Sequence, residues 1–146
     1  MIPNKQKLER IFWVATATLA IVLAGCAGMA SNPGVQVTLS GANEVPPVNT
    51  SASGSGTILV GDDKSVSGSV STTGIAGMAA HIHTGATGKN GPVAIGMTKN
   101  GDNGWVIPAG AKFTDAQYEA YKAGDTYVNV HSAANKAGEI RGQLRP

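Results

Sequence analysis

The amino-acid sequence predicts an all-β domain, an antiparallel Greek-key β-sandwich of about eight strands with one short helix near residues 114–123. Glycine accounts for 20 of 146 residues and only 14% of the residues are charged, against averages of about 7% and about 25% in soluble proteins. Short segments in which apolar and polar residues alternate recur between turn-forming clusters. These observations argue against coiled coils, helical bundles and basic nucleic-acid-binding proteins.

Residues 1–25 have the features of a bacterial lipoprotein signal peptide. Three basic side chains precede an apolar run over residues 11–23: Lys5, Lys7 and Arg10. The run is shorter than the ~20 residues of a membrane-spanning helix. It ends in the sequence LAGC, which resembles the lipobox, whose cysteine is lipidated and becomes the new N-terminus. We therefore expect acyl chains such as palmitate on Cys26, and through them a membrane as partner.

The expected mature chain is a neutral, exported domain. Residues 26–146 number 121 and carry eight Lys and Arg against eight Asp and Glu, so no nucleic-acid partner is expected. Residues 26–34 form a lipidated tether, and Ala27 follows the cysteine where an aspartate would indicate retention in the inner membrane. In a diderm source the chain is thus expected at the outer membrane, on its periplasmic or surface side. Cys26 is the only cysteine, which excludes a disulfide and any free thiolate ligand.

Eight segments of the mature chain have the pattern of short strands bounded by turn-forming residues. They span residues 35–39, 57–60, 65–71, 78–84, 92–98, 105–107, 126–131 and 139–144. The small residues 51–55 predict a loop, and two prolines exclude a central strand at residues 43–47. The helix is predicted from Thr114, an N-cap followed three positions later by Gln117, and from Gly124 just beyond its end.

The chain has three histidines, and two of them, His81 and His83, are separated by one residue in a predicted strand. Because side chains alternate across a strand, both imidazoles lie on one face, about 7 Å apart at Cα. His131 lies on a later strand, on the face that carries Tyr127 and Asn129. Three imidazoles are a donor set for copper or zinc. The alternative is that the histidines are surface or core residues satisfied by hydrogen bonds.

Four segments resemble the CHRD domain, which is named for its repeats in chordin and is found singly in many bacterial secreted proteins. They are residues 39–47 (LSGANEVPP), 81–93 (HIHTGATGKNGPV), 127–131 (YVNVH) and 138–144 (GEIRGQL). The resemblance covers about residues 35–146, the predicted β-sandwich domain. Through chordin it implies an interaction or matrix module in which the histidines are structural.

The histidine pattern is also similar to the copper half of copper–zinc superoxide dismutase, itself a Greek-key sandwich. The similarity implies that His81, His83 and His131 bind copper and that Arg141 draws anions such as superoxide to it. The sequence has no counterpart of the bridging fourth histidine, the zinc loop or the structural disulfide of that enzyme. A single copper ion is therefore expected.

Copper is preferred to zinc as the cofactor, because copper binds more tightly at equal geometry. A zinc hydrolase would also need a general base, and no carboxylate is placed for that role. Two copper functions use the same residues: superoxide dismutation, and sequestration or delivery of copper without turnover. The metal-free module is the third alternative.

Several other side chains are candidates to orient the imidazoles. Glu44 and Glu139 are two of them, although Glu44 also fits a turn and Glu139 an ion pair with Arg141. Tyr127 and Asn129 are the other two, because they share the face of His131.

Two methionines and one loop complete the candidate features. Met78 and Met97 are candidate soft ligands for copper(I), or fillers of the core. Three glycines recur every third residue between positions 85 and 91, without the lysine and helix start of a phosphate-binding loop. They predict a loop beside the His-Ile-His strand.

Replacement of Cys26 tests the predicted anchor. We expect the Cys26→Ser chain, expressed in a bacterium, to lose metabolic labelling by an alkyne fatty acid, because the acylated thiol is absent. The Ala27→Ser chain, changed at the neighbouring small residue, should keep the label. Equal labelling of both variants would show that Cys26 is not the lipidated residue.

Overall fold

The computed structural model describes residues 34–146. The predicted signal peptide, Cys26 and the tether up to residue 33 lie outside the described residues. In this described part, no helix has the length and hydropathy that a membrane crossing requires.

Nine strands and one α-helix make up the described part of the chain, which confirms the predicted all-β class with one short helix. The strands are β1 (Val35–Ser40), β2 (Ser53–Val60), β3 (Val66–Thr73), β4 (Gly77–Thr84), β5 (Val93–Gly96), β6 (Thr98–Asn100), β7 (Gly104–Val106), β8 (Thr126–Ser132) and β9 (Ile140–Leu144). The helix α1 spans Asp115–Lys122, and a 3-10 turn at Gly41–Asn43 follows β1.

Two details differ from the sequence-based expectation. The segment expected as one strand over residues 92–98 forms two strands, β5 and β6, which Met97 separates. The loop expected at residues 51–55 is wrong for its last three residues, because β2 begins at Ser53. Gly54 and Gly56 pair there with Thr72 and Val70 of β3. Because β2 pairs with β3 along its whole length, the backbone hydrogen bonds of the sheet outweigh the low strand propensity of these small residues.

The strands form one antiparallel sheet in the order β5-β4-β8-β9-β1-β2-β3-β7-β6. The first strand β1 lies between β2 and the last strand β9. The two edge strands are consecutive in the chain, since Met97 alone separates β5 from β6. Residues 93–100 therefore pair with β4 on one side and with β7 on the other. The sheet curves into a nearly closed barrel whose edges this segment joins.

One face of the curved sheet encloses a single hydrophobic core. Eight of the nine strands contribute buried apolar side chains to it. Seven of these side chains have no exposed surface: Leu39, Ile58, Ile82, Val128, Val130, Ile140 and Leu144. The core thereby fixes which side chains of each strand point away from it, and the three histidines are among those.

The helix begins with the predicted capping box. Thr114 Oγ1 accepts a hydrogen bond from the Gln117 amide at 3.3 Å, and Gln117 Oε1 accepts one from the Thr114 amide at 2.8 Å. Tyr121 is buried and its ring lies 6.0 Å from that of Phe113. This contact packs the helix against the core cluster.

Two strand glycines give a matched test of the β2–β3 packing. A Cβ at Gly56 would collide with the Ser69 carbonyl oxygen, whereas a Cβ at Gly96 meets nothing within 4 Å. We expect Gly56→Ala to lower the free energy of unfolding by about 1–3 kcal/mol and Gly96→Ala to change it by less than ~0.5 kcal/mol. Urea denaturation measures both, and equal effects would contradict the packing described.

Candidate metal centre

The histidines lie on the face of the sheet that points away from the core. On β4, Ala80 and Ile82 are fully buried in the core, and His81 and His83 alternate with them. On β8, Val128 and Val130 face the core, so His131 shares the opposite face. Cross-strand pairing of β4 with β8 brings His131 beside Ala79, two residues from His81. The predicted alternation is confirmed, and it places all three imidazoles on one surface.

The three imidazoles converge. Their ring centroids are 5.5 Å apart for His81 and His83, 4.9 Å for His81 and His131, and 6.2 Å for His83 and His131. His81 Nδ1 and His131 Nε2 are 3.0 Å apart. One ring nitrogen from each residue lies within 4.8 Å of the other two. Two nitrogens at ~2.0–2.1 Å from one metal ion are about 3 Å apart at bond angles near 90–109°, so the cluster could hold a metal ion.

Backbone carbonyls orient two of the rings. His83 Nδ1 donates to the Gly91 carbonyl oxygen at 2.9 Å, and His131 Nδ1 donates to the Lys136 carbonyl oxygen at 2.9 Å. A carbonyl only accepts, so Nδ1 of each ring carries a proton, and in the neutral form of each ring the lone pair is on Nε2. Such an outer hydrogen bond is the usual partner of a metal-binding histidine.

His83 Nε2 is an unpartnered polar atom in a buried position. The whole residue is only 9% exposed, and an unsatisfied buried acceptor costs about 1–3 kcal/mol. A metal ion at the centre of the cluster would satisfy this atom. The Asn129 side chain also acts on this ring and favours its charged form, so the buried acceptor supports a metal ligand together with the distances.

The surroundings keep two of the imidazoles neutral. Burial lowers the pKa of His81, and the neighbouring His131 and His83 lower it further. Burial also lowers the pKa of His83, and this outweighs the hydrogen bond to Gly91, which favours the charged ring. Since only neutral imidazole has a lone pair for a metal, the burial favours the ligand form.

A stack of three side chains continues from the cluster. The Tyr127 ring lies parallel to the His83 ring, with centroids 4.9 Å apart, and the Arg141 guanidinium lies 3.4 Å from the centre of the Tyr127 ring. Tyr127 was predicted to support the site, and the structure places it in direct contact with His83. The stack fixes the plane of the His83 ring.

Arg141 binds the loop of residues 85–91 that covers this face. It is 1% exposed, and its Nη2 donates to the carbonyl oxygens of Ala86 at 3.2 Å and Lys89 at 2.9 Å. The loop also supplies the Gly91 carbonyl to His83, and Gly91 is needed because a Cβ there would collide with Thr84. Arg141 thus contacts the loop rather than solvent, and its role in drawing anions stays a prediction.

Asn129 is the cross-strand partner of His81. Asn129 and Glu44 are both buried, with 2% and 5% of their surfaces exposed. A Cβ at Gly138 would collide with Glu44 Oε1 and lie 2.7 Å from Asn129 Nδ2. Only glycine at position 138 therefore leaves room for the Glu44 carboxyl group and the Asn129 amide beside the backbone of residue 138. Burial raises the pKa of Glu44, although the Arg141 charge opposes the shift.

Two hydroxyl groups hold the Glu139 carboxylate. Its Oε1 accepts a hydrogen bond from Thr50 Oγ1 at 2.8 Å, and its Oε2 accepts one from Ser132 Oγ. These bonds lower the pKa of Glu139, with the Ser132 bond as the larger cause. Its partners in the structure are therefore hydroxyl groups, and the ion pair with Arg141 considered from the sequence is not formed.

Comparison with known proteins identifies the domain. Residues 35–144 match the family model described as the CHRD domain, a range that contains all three histidines. Neither a search of curated proteins nor a search of solved structures finds a match.

The two arginines near the loop give a matched test of its anchoring. We expect Arg141→Lys to lower the free energy of unfolding by about 2–4 kcal/mol, because a lysine cannot replace the forked hydrogen bonds of a buried guanidinium. Arg145, exposed and bonded to Thr87 Oγ1 at 3.1 Å, should tolerate lysine within ~0.5 kcal/mol. Hydrogen exchange of residues 85–91 should quicken only in the Arg141 variant. Unchanged exchange there would contradict the anchoring role.

Proposed function

The chain belongs to the CHRD-domain family, and we propose that its domain binds a single copper ion through His81, His83 and His131. The observation that carries the proposal is the convergence of the three imidazoles around a buried, unpartnered His83 Nε2. The hydrogen bonds of His83 and His131 to carbonyls support it, because they occupy Nδ1 of each ring and leave Nε2 as the nitrogen available to a metal.

Copper is proposed in preference to zinc on the chemistry of the donors. Imidazole suits both metals, and copper binds the same donor set more tightly. Among the described residues, the cluster contains histidines alone and no carboxylate. A zinc hydrolase would need a base at that position, whereas a redox site needs only ligands and an open position.

We propose superoxide dismutation as the activity. A bound copper ion would supply one-electron chemistry that converts two superoxide ions and two protons into O₂ and H₂O₂. The residues of the chain hold the site in a fixed geometry: the Gly91 and Lys136 carbonyls fix the tautomers, and Tyr127 fixes the His83 ring. A cleft beside His81 and His131, with a volume of about 500 Å³, gives a small anion access to the cluster.

Attachment to a membrane is the second part of the proposal. The lipobox-like sequence before Cys26 would place the domain in the cell envelope on a lipid anchor, at the outer membrane of a diderm source. An anchored copper domain outside the cytoplasm could consume superoxide where it forms. The same position would serve a protein that stores or hands on copper.

Copper binding by histidine variants tests the proposal. The protein, extracted from membranes in detergent, should bind one Cu(II) per chain in calorimetry. We expect His81→Ala, His83→Ala and His131→Ala each to weaken Cu(II) binding by about 100-fold or more. Loss of a residue that only hydrogen-bonds to a metal ligand typically weakens metal binding by about 10–100-fold. Asn100→Ala, an exposed change on β6, is the control and should leave affinity unchanged.

Activity measurements then separate the three functions. Copper-loaded protein that consumes superoxide faster than its histidine variants supports the dismutase. Binding without consumption would favour sequestration or delivery. Equal copper affinity in the wild type and all three variants would overturn the metal site and favour the metal-free module.

A further inference from the structure

Met78 is the most exposed large apolar side chain of the described residues, with 68% of its surface accessible, against 51% for Val93 and 41% for Leu59. Burying a methionine side chain stabilises a protein by about 1.5–3 kcal/mol, so the fold gains little from it here. An exposed methionine alone is ordinary. The position of Met78 on β4, three residues before His81, is what sets it apart.

A bulge in β4 turns Met78 onto the histidine face. Ala80 points into the core, and so does Gly77, where a Cβ would lie 3.0 Å from Trp105 and 3.1 Å from Val130. Strict alternation from Ala80 would bury Met78. The pairing with β8 shifts between Gly77 and Ala79, which leaves Met78 as the extra residue. Bulges commonly re-aim a side chain next to a functional site.

Met78 and two of the three histidines line one cleft. The cleft of about 500 Å³ is bounded by Met78, His81 and His131, with Lys136 at its side. Met97, the other candidate from the sequence, is 9% exposed and belongs to the hydrophobic core. Of the two candidate methionines, only Met78 is therefore exposed beside the histidines.

We propose that Met78 is a soft fourth ligand that binds copper in its reduced, cuprous state, an inference that rests on the proposed copper site. Thioether sulfur favours Cu(I), whereas imidazole serves both oxidation states. The three histidines would hold Cu(II), and the flexible thioether would join them when the ion is Cu(I). Met78 would thus set the balance between the two oxidation states.

Two methionine variants test this assignment in the detergent-extracted protein. We expect Met78→Leu to weaken Cu(I) binding about tenfold or more, measured anaerobically by competition with a chromogenic cuprous chelator, and to leave Cu(II) affinity within about twofold. A selective tenfold loss lowers the reduction potential of the copper couple by about 59 mV. Sulfur scattering in the X-ray absorption spectrum of the Cu(I) protein should also disappear. Met97→Leu is the control and should keep the sulfur signal.

The outcomes distinguish this inference from the copper site itself. Unchanged Cu(I) affinity in Met78→Leu, or a wild-type Cu(I) spectrum without sulfur, would overturn the role of Met78 while Cu(II) binding by the histidines still stands. Loss of the sulfur signal only in Met97→Leu would also overturn it. Failure of the wild-type protein to bind Cu(II) would remove both proposals.

Discussion

The hydrogen bonds from two imidazoles to backbone carbonyls are the constraint on which the site depends. His83 donates to Gly91 and His131 donates to Lys136, so each neutral ring has one possible tautomer, with its lone pair on Nε2. The carbonyls belong to the loops that follow β4 and β8, the strands that carry the two histidines. A change in either loop would therefore alter the direction of a ligand without touching the histidine itself.

The loop after β4 is held by a buried arginine and a half-buried glutamine of β9. Arg141 bonds two of its carbonyls, and Gln143 Nε2 donates to the Gly85 carbonyl oxygen at 2.9 Å. The same Arg141 stacks on Tyr127, which stacks on His83. Burying a cation is costly unless other groups compensate it. The carbonyls and the Tyr127 ring contact the guanidinium, and the charge of Glu44 also favours its protonated form. Stability and ligand orientation thus rest on the same side chains.

Periodicity made the strands and the shared face of the histidines predictable. Alternation through Ile82 places His81 and His83 together, and the capping box at Thr114 defines the helix start. The closure of the sheet was not predictable. It depends on the segment of residues 93–100, whose first half pairs with β4 and whose second half, after Met97, pairs with β7. The burial of Arg141 and the bulge at Met78 were likewise beyond local patterns, because both arise from pairing between distant segments. No residue-level signal marks Gly91 or Lys136 as acceptors, since they act through backbone atoms.

The location of a bound copper ion tests the central claim most directly. A crystal of the copper-loaded protein, measured at the copper absorption edge, should show one anomalous peak among His81 Nδ1, His83 Nε2 and His131 Nε2, the nitrogens that face one another or lack another partner. A peak elsewhere, or one bound by a single histidine, would contradict the account.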